Sequence, residues 1–318
     1  MFKYDVLCVG SAVVDRFLTI DQPLNSVKLG DKILAKSLEI HTGGGGTNSA
    51  VALAKFGLKV RLFTKLGKDH EADFIESELK KYGIKTVCKC VSKHLTDSST
   101  IISSTYDKDR VVYNYKSASQ DLDFCHCPKS SFKPKWIYLA SLVGKSFQTA
   151  KELAIYAHKK KIKLLFNPSL YLTKKGKKYL QEVLAVTDIL VLNDREAQVL
   201  LNSKSNNIKY LLKELQSLGP KNVVITSGPK TVYGLYENVI YSLTPPKVKV
   251  ANTLGAGDSF TSALLAGIMK GYSFEDALRL GQANSTSLIQ KVGTKTGLLT
   301  EKEALRIMKK YRMKVKRY

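Results

Sequence analysis

Asn252-Thr253-Leu254-Gly255-Ala256-Gly257-Asp258-Ser259-Phe260 leads into a helical run in which Phe260, Leu264, Leu265 and Ile268 recur on one side. Gly255-Ala256-Gly257 then lies where free backbone N–H groups point out of a helix N-terminus, a ready anion site. Asp258 falls in the first turn. By itself such an Asp is a favourable partner of the helix dipole. Beside phosphate-binding amides, a carboxylate is better explained as a base aimed at a hydroxyl that attacks a phosphate.

A second glycine segment, Gly43-Gly44-Gly45-Gly46-Thr47-Asn48-Ser49, runs directly into an Ala/Val/Leu helical pattern. It reads either as a flexible loop or as backbone that approaches a ligand closely, with Asn48 placed to cap the helix or to bind a hydroxyl. Other phosphate and nucleotide signatures fail. Gly144-Lys145-Ser146 ends like a P-loop, but the position of its first glycine is Leu139; Gly255-x-Gly257 lacks the last glycine of the dinucleotide fingerprint, which is Phe260. His-Glu-x-x-His and Gly-x-Ser-x-Gly are absent.

Around these segments short β-rich runs alternate with helical ones. Strands are expected over 4–10, 60–66, 136–140, 164–167, 189–193 and 223–226, and helices over 48–56, 72–82, 149–159, 174–185 and 196–201. Such alternation predicts an α/β fold, a mostly parallel sheet flanked by helices on both faces. Two stretches break it, 15–41 and 98–115, both strand-like without helices. They are expected to pair as a small β-sheet lid on a single domain spanning 1–318, since no Pro- or Ser-rich linker divides the chain.

The composition bounds the function. With 318 residues, 44% hydrophobic and 25% charged, the chain has the proportions of a soluble globular protein. No apolar run reaches the ~18 residues of a membrane span, and the N-terminus reads as a first strand rather than a signal peptide, so a cytoplasmic protein is expected. The balance of 51 Lys+Arg against 27 Asp+Glu gives +24, which raises nucleic-acid binding as a non-enzymatic alternative. Only residues 301–318 concentrate that charge, eight Lys or Arg against two Glu. Elsewhere lysines are scattered as on a solvated surface and no nucleic-acid motif accompanies them, so nucleic acid is disfavoured as a partner. Five cysteines are too few for a disulfide scaffold. The pairs Cys88/Cys90 and Cys125/Cys127, the latter enclosing His126, are spaced too tightly for usual structural zinc and are expected to be reduced thiols.

Along essentially its whole length the chain resembles the ribokinase-like (phosphofructokinase B-type) family of carbohydrate and nucleoside kinases. The resemblance is carried by 43–48 with Gly67-Lys68-Asp69, by Asn193-Asp194-Arg195-Glu196, by Thr226-Ser227-Gly228 and by 253–258, in order and spacing. It implies a ribokinase-like fold and an ATP-dependent kinase acting on a sugar hydroxyl, with a nucleoside kinase as the alternative. It implies that Asp258 is the catalytic base and that the amides of Gly255, Ala256 and Gly257 form an anion hole. Asp15, Gly44 and Asn48 would bind the acceptor. Asn193 and Glu196 would organise Mg²⁺, with Glu196 holding it through water, and Thr226, Gly228 and Asn284 would border the nucleotide. Asn193 and Glu196 have a plainer reading as a helix cap. Homodimerisation through the lid is also expected, because its strands leave an edge to be covered.

The sequence departs from that family at three positions. Val13 stands where ribokinases usually have Asn, and Gly45 where they tend to have Lys, which widens the acceptor to another sugar, a sugar phosphate or a nucleoside. Asn252 replaces a common Asp, so a monovalent cation would bind weakly.

Overall fold

The computed structural model describes residues 3–87, 90–107, 109–124 and 127–318. In chain order the strands are β1 (Tyr4–Val9), β2 (Val13–Ile20), β3 (Ala35–Gly43), β4 (Val60–Phe63), β5 (Lys65–Leu66), β6 (Lys85–Thr86), β7 (Cys90–Val91), β8 (Asp97–Ser104) and β9 (Arg110–Tyr115). They continue with β10 (Pro134–Ala140), β11 (Lys163–Asn167), β12 (Ile189–Asn193), β13 (Asn222–Thr226), β14 (Val232–Tyr236), β15 (Val239–Leu243) and β16 (Val315–Arg317). The helices are α1 (Gly45–Lys55), α2 (His70–Lys81), α3 (Ser146–Lys159), α4 (Leu170–Thr173), α5 (Lys177–Leu184), α6 (Asp194–Leu201), α7 (Ile208–Ser217), α8 (Ala256–Met269), α9 (Phe274–Leu288) and α10 (Glu301–Tyr311).

The main sheet has the order β16-β15-β14-β13-β12-β11-β10-β1-β4-β6, parallel from β13 to β6 and antiparallel from β13 outward to β16. Alternate residues of each central strand enter opposite cores. Val6, Cys8 and Tyr138 pack with α1, α8 and α9, while Leu7, Val9 and Ile137 pack with α3, α5 and α7. The chain winds outward from β1 through β4 to β6, then returns to place β10 on the other side of β1. Strand order thus reverses between β1 and β10, where an open α/β sheet leaves a crevice at the carboxyl ends of its strands.

Two expectations need correction. The strand over 60–66 divides, because β5 leaves the main sheet to pair with β7. The helix over 174–185 starts later, as α5 at Lys177 with Gly176 at φ 80° as its cap, and the short α4 precedes it. The antiparallel extension β14–β15–β16 was not anticipated from the sequence.

The lid is a four-stranded sheet, β3-β2-β8-β9, with strands slightly offset from the expected 15–41 and 98–115. Each half is an antiparallel pair, and the halves join through parallel pairing of β2 with β8. On the inner face Asp15, Phe17, Ser99 and Ile101 are buried. On the outer face the register aligns Leu38, Leu18, Ile102 and Val111 in one row across all four strands.

Candidate active site

A cleft of about 700 Å³ opens at the strand-order reversal, under the inner face of the lid. Its floor is the start of α8. Gly255 caps that helix at φ 76°, a left-handed turn that favours glycine. The amides of Gly255, Gly257 and Asp258 have no protein acceptor among the described residues, whereas the Ala256 amide donates to the Thr253 carbonyl at 3.3 Å. Three of the four N–H groups at this helix start therefore remain available to an anion.

Asp258 stands beside them on the cleft floor. Asn48 Nδ2, from the second turn of α1, donates to Asp258 Oδ2 at 2.9 Å. Burial pushes the Asp258 carboxyl above the usual carboxylate range; the Asn48 bond and the charge of Lys295 oppose this without cancelling it. Asn48 Oδ1 is buried without a partner among the described residues, an acceptor open to a ligand hydroxyl.

Asp15 lies on β2, on the lid side of the cleft, and is 7% exposed. A Cβ at Gly43 would stand 1.9 Å from Asp15 Oδ2, so only glycine admits the carboxylate there. Burial raises the Asp15 carboxyl, against the Ser99 hydroxyl and the charges of Lys295, Lys116 and His41. Gly44, at φ 91°, caps α1 on the same wall and accepts the Asn48 amide at 2.9 Å.

Asn193 and Glu196 form the capping box of α6: Glu196 N–H donates to Asn193 Oδ1 at 2.8 Å and Asn193 N–H to Glu196 Oε2 at 2.9 Å. Capping does not remove them from the cleft, whose wall both line. Burial pushes the Glu196 carboxyl up to about 7, with the charge of Asp258 adding to it and backbone and Asn193 hydrogen bonds resisting. Thr226, at the end of β13, is also on the wall. Gly228, at φ 54°, shapes the turn that follows. Asn284 is not on the cleft wall. It is fully buried, and its amide joins α9 to the Ser259 carbonyl at 2.9 Å and to the Leu299 amide at 2.8 Å.

Three further residues escaped the sequence reading. Asn167, on the wall at the end of β11, receives the Tyr138 hydroxyl at 3.2 Å and donates to the Val191 carbonyl at 2.9 Å. Arg110, on the lid, reaches across to Thr253 Oγ1 at 2.8 Å. Lys295 is buried behind Asp15. None belongs to a local motif. Cys88, Cys125 and His126 lie outside the described residues. Cys127 is disulfide-bonded, which corrects the expectation of a reduced thiol there, and among the described residues no three His, Cys, Asp or Glu side chains are grouped to hold a metal. No helix among them is long and apolar enough to cross a membrane.

Comparison with known proteins places this geometry. Residues 3–301 match the pfkB family carbohydrate kinases. The ribokinase of Bacillus subtilis (strain 168) is 26% identical over 304 residues, covering 94% of this chain and 97% of that protein. Among solved structures, Arabidopsis thaliana ribokinase complexed with ribose and ATP has a TM-score of 0.81 at 21% identity, over 96% of this chain and 99% of that one. Methanocaldococcus jannaschii nucleoside kinase gives 0.80 at 20% identity, over 97% and 99%. At such identities the two structures speak for the fold. The chain belongs to the pfkB family of carbohydrate kinases, phosphotransferases with an alcohol group as acceptor.

The raised Glu196 carboxyl links stability to pH. The folded protein holds a proton up to about pH 7 that the unfolded chain releases near 4.5. Ionising Glu196 therefore lowers stability as pH rises through that window, and the loss is complete above it. Glu196→Gln keeps an oxygen for the Asn193 amide and does not ionise. Urea denaturation at pH 8 should find the variant more stable by about 1–3 kcal/mol, with the difference closing at pH 4.5. A variant less stable at pH 8 would show that the carboxylate is already compensated.

Proposed function

We propose that the protein transfers the γ-phosphoryl group of ATP to a sugar hydroxyl, with Asp258 as general base. The observation that carries this reading is the Asn48 to Asp258 hydrogen bond of 2.9 Å, which joins the acceptor side of the cleft to a carboxylate beside unbonded amides. The bound ribose and ATP of the Arabidopsis thaliana enzyme support the choice of donor and acceptor class. The need for ATP favours a cytoplasmic site of action.

In this mechanism Asp15, Gly44 and Asn48 Oδ1 hold the acceptor so that one hydroxyl faces Asp258. The hydroxyl oxygen attacks the γ-phosphorus, its proton passes to Asp258, and the bond from phosphorus to the β,γ-bridging oxygen breaks to release ADP. Charge developing on the phosphoryl oxygens meets the amides of Gly255 and Gly257, preorganised by the helix start. A raised carboxyl suits the base because it must take a proton near neutral pH. Thr226 and the Gly228 turn border the nucleotide.

The oxygen donors of Asn193 and Glu196 fit Mg²⁺, a hard cation that keeps several waters, and an incompletely compensated carboxylate is what such a cation would relieve. Bound there, Mg²⁺ would neutralise charge on the nucleotide phosphates. The lid excludes water, with Arg110 closing its free end onto Thr253. An apolar wall of Val13, Ile101 and Val112 is the feature that would favour a nucleoside acceptor.

A coupled ADP-release screen over pentoses, hexoses, sugar phosphates and nucleosides tests the reading, which fails if none is turned over. With the acceptor in hand, Asp258→Asn should lower kcat by about 10²–10⁴-fold while nucleotide binding survives. A folded variant with near wild-type kcat would remove the base from the mechanism.

Two narrower expectations follow from the same geometry. Asn252 Oδ1 already accepts the Leu254 amide at 3.1 Å and Nδ2 is a buried donor without a partner among the described residues, a poor arrangement for a cation. K⁺ should therefore stimulate turnover less than about tenfold against a bulky cation at equal ionic strength; a larger effect would contradict the neutral-ligand reading. The lid exposes Leu38, Ile40, Val111 and Tyr113 on its outer face and ends in the edge strand β9, which suits a second copy of the chain. Light scattering at micromolar concentration should report a dimer, and a monomer would remove that proposal.

A further inference from the structure

The phosphoryl chemistry leaves one buried ammonium unused. Lys295 follows α9 and is 7% exposed. Its Nζ donates to the Thr42 carbonyl at 2.8 Å, reaches the Thr42 hydroxyl, and pairs with Glu78 Oε2 of α2 at 3.1 Å. The preceding residue holds the same carbonyl, Thr294 Oγ1 donating to it at 3.0 Å. Thr42 directly precedes Gly43, the glycine that admits Asp15 Oδ2. The loop also touches the anion hole, since a Cβ at Gly255 would stand 3.1 Å from Thr294 Cβ. One short loop therefore runs from the start of α8 to the foot of the lid.

A charge is not needed merely to tie that strand down. A neutral donor could satisfy the Thr42 carbonyl, and removing an ammonium from water is unfavourable unless other charges compensate it. Glu78 is one such charge, but its side chain is still 23% exposed. The others within electrostatic reach of Lys295 are Asp15 and Asp258.

We propose that Lys295 is a positioning residue for phosphoryl transfer: it fixes the Thr42–Gly43 backbone against Asp15 and acts as a resident counter-charge to both Asp15 and Asp258. This rests on the acceptor and base roles given above to those two residues. The groups facing the assembly are Glu78 from α2, Asp15 from β2 and Asp258 from α8 around Lys295; Lys116 and His41 additionally face Asp15; Glu196, Tyr138 and Cys8 are coupled to Asp258. Among the described residues, only Lys295 acts on both carboxylates.

Carbon-detected NMR titration of the Asp15 and Asp258 carboxyls tests the counter-charge without turnover, with Asp15→Asn and Asp258→Asn supplying the assignments. In Lys295→Met both midpoints should rise, by about one pH unit. In Lys295→Arg they should stay near wild type. In Glu78→Gln, which keeps the ammonium and its bond to Thr42 but removes its partner charge, both should fall. Kinetically, Lys295→Met should raise the acceptor KM by about tenfold or more and leave that for the nucleotide within about twofold. Unmoved midpoints in Lys295→Met, or an unchanged acceptor KM, would overturn the proposal. If Lys295→Met does not fold, Glu78→Gln decides it, a downward shift in support and an unmoved or upward one against. Failure of the kinase reading would appear separately, as wild-type protein that releases no ADP with any acceptor.

Discussion

The hydrogen bond from Asn48 to Asp258 ties together the starts of α1 and α8, and the site depends on how closely those two helix ends approach. The approach is set by backbone. Gly46 N–H donates to the Ser11 carbonyl at 3.0 Å, and a Cβ at Gly46 would stand 2.7 Å from the Gly10 carbonyl oxygen. The glycine run thus lets α1 begin directly over the carboxyl end of β1. From that position Asn48 fixes one oxygen of Asp258, leaving Oδ1 for a proton. Lengthening this contact would separate the proposed acceptor pocket from the proposed base even if each half stayed folded, and transfer between them requires near-attack distances.

The site is unusual in collecting carboxylates under a protein of strongly positive net charge. Asp15, Asp258 and Glu196 are all raised by burial, and the lysines acting on the first two are Lys295, which reaches both, and Lys116, which reaches Asp15. These scales serve different steps. The net charge of +24 would favour the approach of an anionic nucleotide over long range, where salt screens it. Inside the cleft, amides and fixed charges act over hydrogen-bond distances in a poorly solvated space, where screening is weak.

Much of this was legible in the sequence where a local rule governs the outcome. Asp258 and the glycines before it lie within one helix start, and Asn193 with Glu196 forms a capping pair at fixed spacing, so their local setting follows from neighbours in the chain. The central strands were legible because both faces are buried and the runs are continuously apolar. The hairpin of β14 and β15 was not, since its two-residue turn is Glu237-Asn238, both at positive φ, without the glycine that marks such turns. Lys295 was invisible for a different reason. It is one of 51 Lys and Arg, and only tertiary packing distinguishes it from the solvated majority. Asn284 shows the converse: a polar residue near the motifs whose side chain bonds α9 to the segments beside it rather than to the cleft.

The central claim is that Asp258 accepts a proton and never the phosphoryl group itself. A γ-phosphoryl group made chiral with three oxygen isotopes distinguishes the two. Direct in-line attack by the acceptor hydroxyl inverts the configuration at phosphorus, whereas transfer through a phosphorylated carboxylate comprises two displacements and retains it. The geometry predicts inversion in the sugar phosphate product. Retention would contradict it, making Asp258 a nucleophile and leaving its hydrogen bond to Asn48 without the orienting role argued for it.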